Sequence, residues 1–451
     1  MGEIIICLSE QVEKNFYAPQ GLISILLIES VLLLDFLEVN YKLYLMGIII
    51  VITTIIWFYL RRIPRTKPNK VGIVIAISTE NKNEYKMIKA DLIHNLSELL
   101  TNSNKKHDFQ IIVYPEYYAK KVNLSSDEEI KKYGLKSKAS FIIFGRSRSQ
   151  RKVQGRSYIA LNLRGMVFHK VVDENIHMNL EKEFTELFPS NLLIPEDNEL
   201  FGFELTSQWI AMTSKYIIAI ASMISWDFEY AIDLFESLMD IIKQSPNSIN
   251  DVPKKIKERI PRHLIGMYHA LAIHQNMEYR KYHDKQYLDL MKIYLDKIEN
   301  LDENYYPHKL TKSIYFFYQG EVAAAKALID SCSGETDSGW RYSQAFLLAY
   351  ENKLSKAHSM YMKAFSAEID QYLLLDIESF INDVLFQEPQ KCQLYYCLGL
   401  INFHKKKDYF LAKNDFEMFL NNTPPNPKSS TRRKASEYLK KIEAKLSKNV
   451  A

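Results

Sequence analysis

Two runs of basic residues are where the side chains of this sequence could do chemistry. Arg61, Arg62, Arg65, Lys67 and Lys70 place five positive charges in ten residues with no acid among them. Arg146, Arg148, Arg151, Lys152 and Arg156 form a second dense stretch, which reads as an anion-binding loop between strands. Guanidinium and ammonium groups so grouped suit a phosphate, a nucleotide or an anionic lipid headgroup; near a charged lipid surface each contributes about 1 kcal/mol. The plainer readings stay open beside these. The first run is also what a topology signal looks like, and the second what a solvated hairpin loop looks like.

Reactive constellations are otherwise missing. No GxxxxGK[ST], GxGxxG, HExxH or GxSxG occurs. Glu116 with Lys120 and Lys121, following Asp108, has the wrong acid-to-lysine spacing for a nuclease and reads as a solvated strand exit. Cys7, Cys332, Cys392 and Cys397 make no CxxC pair and the histidines are scattered, so neither a metal framework nor a disulfide is expected. The expectation is no catalytic residue, no cofactor and no metal: not an enzyme. A net charge of +4 is too small for a general nucleic-acid binder, so no nucleic-acid partner is expected. At 47% hydrophobic and 25% charged residues the composition is that of a globular chain.

The elements that must position these residues begin with two hydrophobic runs. Residues 43–60 carry no charge, and as a helix they reach ~27 Å, close to the ~30 Å core of a bilayer. Trp57 and Tyr59 stand at the end nearest the basic run. Residues 22–37 form a first run, interrupted by Glu29 and Asp35. The pair predicts a transmembrane helical hairpin, with Glu29 marking an oligomeric channel or proton path, or a helix–helix contact, or a first segment that lies at the interface rather than spanning. Basic residues after the second run predict an integral inner- or plasma-membrane protein whose soluble domains face the cytoplasm. The first twenty residues lack the basic start of a secretory signal.

From residue 71 the pattern becomes strand, helix, strand, helix, strand. Residues 71–78, 109–114 and 139–145 read as strands, with helical spacing over 83–100 and a short helix capped by Ser125 that ends near Gly134. A hairpin is expected from 158–165 and 166–172. Ala139, Phe141, Ile142, Ile143 and Gly145, then Gly155 and the strand from Tyr158, resemble the N-terminal domain of TolB and the related envelope proteins FlgO and CsgG. That resemblance covers about a quarter of the chain and implies a non-catalytic module for assembly or partner binding.

Beyond residue 205 the chain reads as helices of about a dozen residues with short breaks. Four phrases recur, centred on Ala231, Ala325, Ala357 and Ala412, with large apolar residues following each; Trp226-Asp227, Gly320 and Asn352 fall at turns and Pro424 at an end. These phrases resemble the tetratricopeptide repeat, TPR, a helix–turn–helix whose small residues let paired helices approach closely. Ala325 and Ala357 are 32 residues apart, near that family's period. The lysine-rich 435–448 suits a capping helix.

The expected fold is therefore membrane-anchored α+β. It comprises an N-terminal segment (1–21), a transmembrane helical hairpin (22–60), a basic juxtamembrane linker (61–70), a small α/β domain (71–175), a linker (176–204) and an all-α TPR-like solenoid (205–451). The expected function is a membrane-anchored cytoplasmic scaffold or adaptor holding a protein partner on the repeats, with membrane lipid at the hairpin and basic flank. The alternative is a ligand-sensing signalling or defence effector that acts on the membrane through its hairpin. A homo-oligomer is left open.

Overall fold

The computed structural model of the chain describes residues 2–36, 42–68, 70–79, 93–101, 109–153, 156–168, 187, 192–195, 199–244, 251–368, 371–424 and 430–448. They cluster into two units, Met1–Ile260 and Pro261–Ala451. The border falls at Pro261, inside a single long helix, and not at residue 205 where the repeats were expected to begin.

The first unit opens with three helices, α1 (Gly2–Asn15), α2 (Pro19–Phe36) and α3 (Lys42–Leu60). Among the described residues, no helix is long and apolar enough to cross a membrane. The transmembrane hairpin, the membrane anchor and the integral-membrane placement expected above are corrected accordingly. With the span goes the cytoplasmic orientation deduced from its basic flank. The runs are held at a few points, while Ile48, Val51, Ile55 and Phe58 of α3 stay exposed. Trp57 is 3% exposed, and its Nε1 donates to the Phe16 carbonyl at 2.7 Å. Thr53 Oγ1 donates to Glu29 Oε1 at 2.6 Å, so the carboxylate that interrupts α2 is a helix–helix contact.

A five-stranded sheet follows, built from β1 (Val71–Ser78), β2 (Phe109–Val113), β3 (Phe141–Val153), β4 (Arg156–Val167) and β5 (Leu192–Pro195), in the order β2-β1-β3-β4-β5. Strands β1, β2 and β3 are parallel, whereas β4 and β5 are antiparallel to their neighbours. Helix α4 (His94–Thr101) falls at the end of the stretch 83–100 expected to be helical, of which residues 83–92 lie outside the described residues. Helices α5 (Glu116–Leu124) and α6 (Asp127–Ser137) connect β2 to β3. One face of the sheet buries Val74, Ala76, Ile112, Ile142 and Phe144 with Tyr118, Ala119, Val122 and Ile130. The alternate residues Ile73, Ile75, Phe141 and Ile143 are buried as well, the near-continuous apolar pattern of a sheet covered on both sides.

Three local expectations change. Where two strands were expected over 158–165 and 166–172, one strand, β4, runs through Gly165 and Met166 along β3 to Val167, and residues 169–172 lie outside the described residues. Ser126, not Ser125, caps α6, and the Glu129 carboxylate accepts the Ser126 N–H at 3.2 Å. Gly134 is buried inside that helix, and Lys138 in the left-handed region ends it. Gly145 is required by a close approach: a Cβ there would lie 2.0 Å from the Asn162 carbonyl oxygen across the ladder.

Helices α7 (Glu199–Ile224) and α8 (Phe228–Gln244) complete the first unit, and α9 (Asp251–Tyr282) leads into the second. There follow α10 (Lys285–Leu301), α11 (Tyr306–Tyr318), α12 (Val322–Ser331), α13 (Gly339–Tyr350), α14 (Leu354–Phe365) and α15 (Gln371–Gln387). The last elements are α16 (Leu394–Ile401), a π-turn (Asn402–Lys406), α17 (Tyr409–Asn422) and α18 (Ser430–Lys448). One continuous core runs through the second unit from Phe317 to Ile442.

Candidate functional site

Four helical pairs, α7–α8, α11–α12, α13–α14 and α16–α17, are joined by the same turn. Each turn holds one residue in the left-handed region: Trp226, Gly320, Asn352 or Lys407. In the first three, the next residue's amide reaches back five positions to a carbonyl of the preceding helix (Asp227 to Ser222, Glu321 to Phe316, Lys353 to Leu348), which closes the helix end. Five residues beyond the left-handed position stands an alanine, Ala231, Ala325, Ala357 or Ala412, and all four are 0% exposed. Nine residues beyond it stand Phe235, Ile329, Tyr361 and Phe416, equally buried. Small then large at fixed offsets lets the helices of each pair close on one another and fills the space between pairs.

The fourth turn departs from this pattern. The π-turn adds one residue, so the Asp408 amide reaches back six positions, to Asn402. Such insertions are frequent at functional sites. This one swings a cluster of polar and aromatic groups together. His404 Nε2 shares a hydrogen bond with the Tyr438 hydroxyl on α18 at 2.9 Å, and its ring stacks on Phe365 with centroids 5.3 Å apart. His358 Nδ1 shares one with the Tyr396 hydroxyl at 2.8 Å. Tyr438 lies parallel to Phe416 at 5.2 Å. Lys445 Nζ donates to the Tyr409 hydroxyl at 2.7 Å and sits 5.2 Å from the Phe403 ring, while Lys441 lies 5.5 Å from Tyr438.

Electrostatics follow from that packing. Burial, then Lys434 and His404, pushes His358 down to about 4. Burial, then Lys441 and Lys445, also lowers His404. Behind them Asn402 Nδ2 donates to the buried Asp415 carboxylate at 2.7 Å, and burial lifts Asp415 to about 6. Among the described residues no carboxylate pairs with Lys441 or Lys445. Lys441 and Lys445 thus lie over aromatic rings, with the Glu437 carboxylate also near Tyr438, and Phe410 on α17 is 75% exposed. An arrangement of this kind accepts carboxylates at its rim and apolar or aromatic groups on its floor.

Of the residues singled out in the sequence, the four alanines share one structural position, as described. The basic run at 61–70, expected as a juxtamembrane linker, is held against the α/β layers. The Arg61 guanidinium lies 4.8 Å from the Trp57 ring and 5.9 Å from the Tyr117 ring. Arg62, Arg65 and Lys67 are exposed and Lys70 is half-buried. The stretch 146–156, expected as a loop, is strand: Arg146 pairs with Asn162 and Arg148 with Ala160, and Val153 with Arg156 nearest the turn. The side chains of Arg148, Arg151, Lys152 and Arg156 lie outside the described residues. Spread along two strands, the five cations do not come from one loop. Glu116 and Lys120 form a surface ion pair at 2.8 Å on α5. The π-turn cluster was missed; the run His404-Lys405-Lys406-Lys407 was its only signal.

Compared with known protein families, with curated proteins and with solved structures, the chain matches none.

Proposed function

We propose that this protein is a binding protein of the tetratricopeptide type, whose helical repeats hold an acidic segment of another protein at the π-turn and α18. One observation supports the reading above the others: the same turn, with a buried alanine five residues on and a large buried residue nine on, recurs in four helical pairs. Recurrence at fixed offsets is the signature of stacked supersecondary units, and such stacks present extended surfaces to partners. Lys441, Lys445 and the exposed Phe410 give that surface its charge and its apolar anchor.

The test is purification of the tagged full chain from its own cells, followed by identification of proteins recovered in stoichiometric amount. The expected result is an acidic partner whose recovery falls at least tenfold with Lys441→Glu/Lys445→Glu and with Phe410→Ser, at unchanged melting temperature. Equal recovery by these variants and the parent would remove the π-turn face as the contact.

A further inference from the structure

A second cationic feature lies in the first unit. A cleft of about 760 Å³ is lined by Tyr59, Arg62, Ile63, Pro64, Arg65 and Lys136. Three of the six are cations, and among the described residues no carboxylate pairs with any of them. The other three line the rest of the cleft, Ile63 half-buried and Tyr59 and Pro64 exposed, with the Arg62 guanidinium 5.2 Å from the Tyr59 ring.

The backbone that carries two of these cations is pinned. Thr66 donates twice to the Ser137 carbonyl, through its amide at 2.8 Å and its hydroxyl at 3.0 Å. The Tyr118 hydroxyl donates to the Arg61 carbonyl at 2.5 Å, and the Lys67 amide donates to Gln110 Oε1 at 2.8 Å. Ile63 packs into the core beneath the sheet, and Thr66 sits where a Cβ on Gly72 would be. These contacts clamp residues 61–67 against the end of α6, and this clamp brings Lys136 into the same cleft as Arg62 and Arg65. Like charges held together on a fixed backbone repel one another. An anion between them removes that repulsion without first having to order the chain.

We propose that this cleft is a binding site for a phosphate group, with Arg62, Arg65 and Lys136 as its ligands and Tyr59, Ile63 and Pro64 receiving the apolar part of the molecule. Forked guanidinium donors suit phosphate oxygens better than a carboxylate would require of three cations, and the volume matches that of sites for molecules of nucleotide size. A soluble phosphate ester and the phosphate of a lipid headgroup share this chemistry, and the test separates them.

Titration calorimetry on the full chain uses inorganic phosphate, adenosine monophosphate, and phosphatidylcholine vesicles with or without phosphatidic acid. Binding of the soluble probes assigns the site to phosphate esters. Binding of the phosphatidic acid vesicles alone assigns it to headgroups. In either case the affinity falls at least tenfold in Arg62→Gln/Arg65→Gln and in Lys136→Gln, and also falls with added salt. Arg65→Lys, which keeps the charge but loses the fork, binds more weakly than the parent and more tightly than Arg62→Gln/Arg65→Gln, and Lys120→Gln on the neighbouring helix changes nothing. Circular dichroism melts confirm that each variant is folded. The proposal is overturned if no probe binds, or if the glutamine variants bind as tightly as the parent.

Discussion

At Ala325, Ala357 and Ala412 a methyl group is all the space allows, because each is wholly buried where one helix faces the next. Leucine at any of them forces three further carbons into a closed contact, and overpacking of that kind costs about 1–3 kcal/mol. Ala323 lies on the same helix as Ala325 but is exposed, so Ala323→Leu is expected to leave stability unchanged. Denaturant melts of the four variants decide the matter; Ala357→Leu and Ala412→Leu melting with the parent would mean that the pairs are not closed as described. These alanines were legible in the sequence because small residues recur there at helical spacing. The basic run at 61–70 was not legible. Two prolines and no periodicity read as a linker, whereas the contacts that hold it come from Gln110, Tyr118 and Ser137, far off in the sequence.

At the scale of elements, the left-handed turn is the joint of every pair, yet only one of its four residues announces it. Gly320 adopts φ of 79° freely, whereas Asn352, Lys407 and Trp226 carry a Cβ into the same region. For a side chain other than Asn or Asp that conformation costs about 1–2 kcal/mol, part of which glycine recovers. Lys407→Gly is therefore expected to stabilise the chain by up to about 1 kcal/mol and Asn352→Gly by less, while Gly320→Ala destabilises it by about 1 kcal/mol. Thermal melts would reject this account if Lys407→Gly melted lower than the parent. Trp226, Gly320 and Asn352 were legible at the turns of the recurring phrases, whereas Lys407 was not. Four different residues sit in one backbone conformation, and three of the turns share a hydrogen bond reaching back five positions that no residue type spells out. The π-turn was hidden because its extra residue falls at the end of α16, where no further helical turns follow to show a shift of apolar phase. The apolar runs of α2 and α3 were misread in the opposite sense. Hydropathy reports how apolar a stretch is, not that Trp57 is buried and bonded to the Phe16 carbonyl.

Across the second unit, acid is the condition that tests the packing as a whole. His269, His308, His358 and His404 all lie in that unit, and burial is the first cause lowering each of them, His358 to about 4. A histidine lowered in the folded state takes up its proton more readily when unfolded. Its contribution is complete above the unfolded value of about 6.5 and is lost as the pH falls toward the folded value. Asp415 acts in the opposite sense. Raised to about 6 by burial, it penalises the folded state above that pH, and the penalty is relieved between about 6 and its ordinary value near 4. Four groups against one set the sign, so the melting temperature of the second unit is expected to fall steadily from pH 7 to pH 4. His358→Gln should flatten the lower part of that profile, since it removes the group that resists protonation longest. Asp415→Asn should steepen the fall, because the amide keeps the bond partner of Asn402 but loses the relief on acidification. Melting curves at intervals across this range provide the measurement. A profile flat from pH 7 to pH 4 in the parent would mean that these imidazoles are charged in the folded unit, and that the aromatic floor around His404 is open to water.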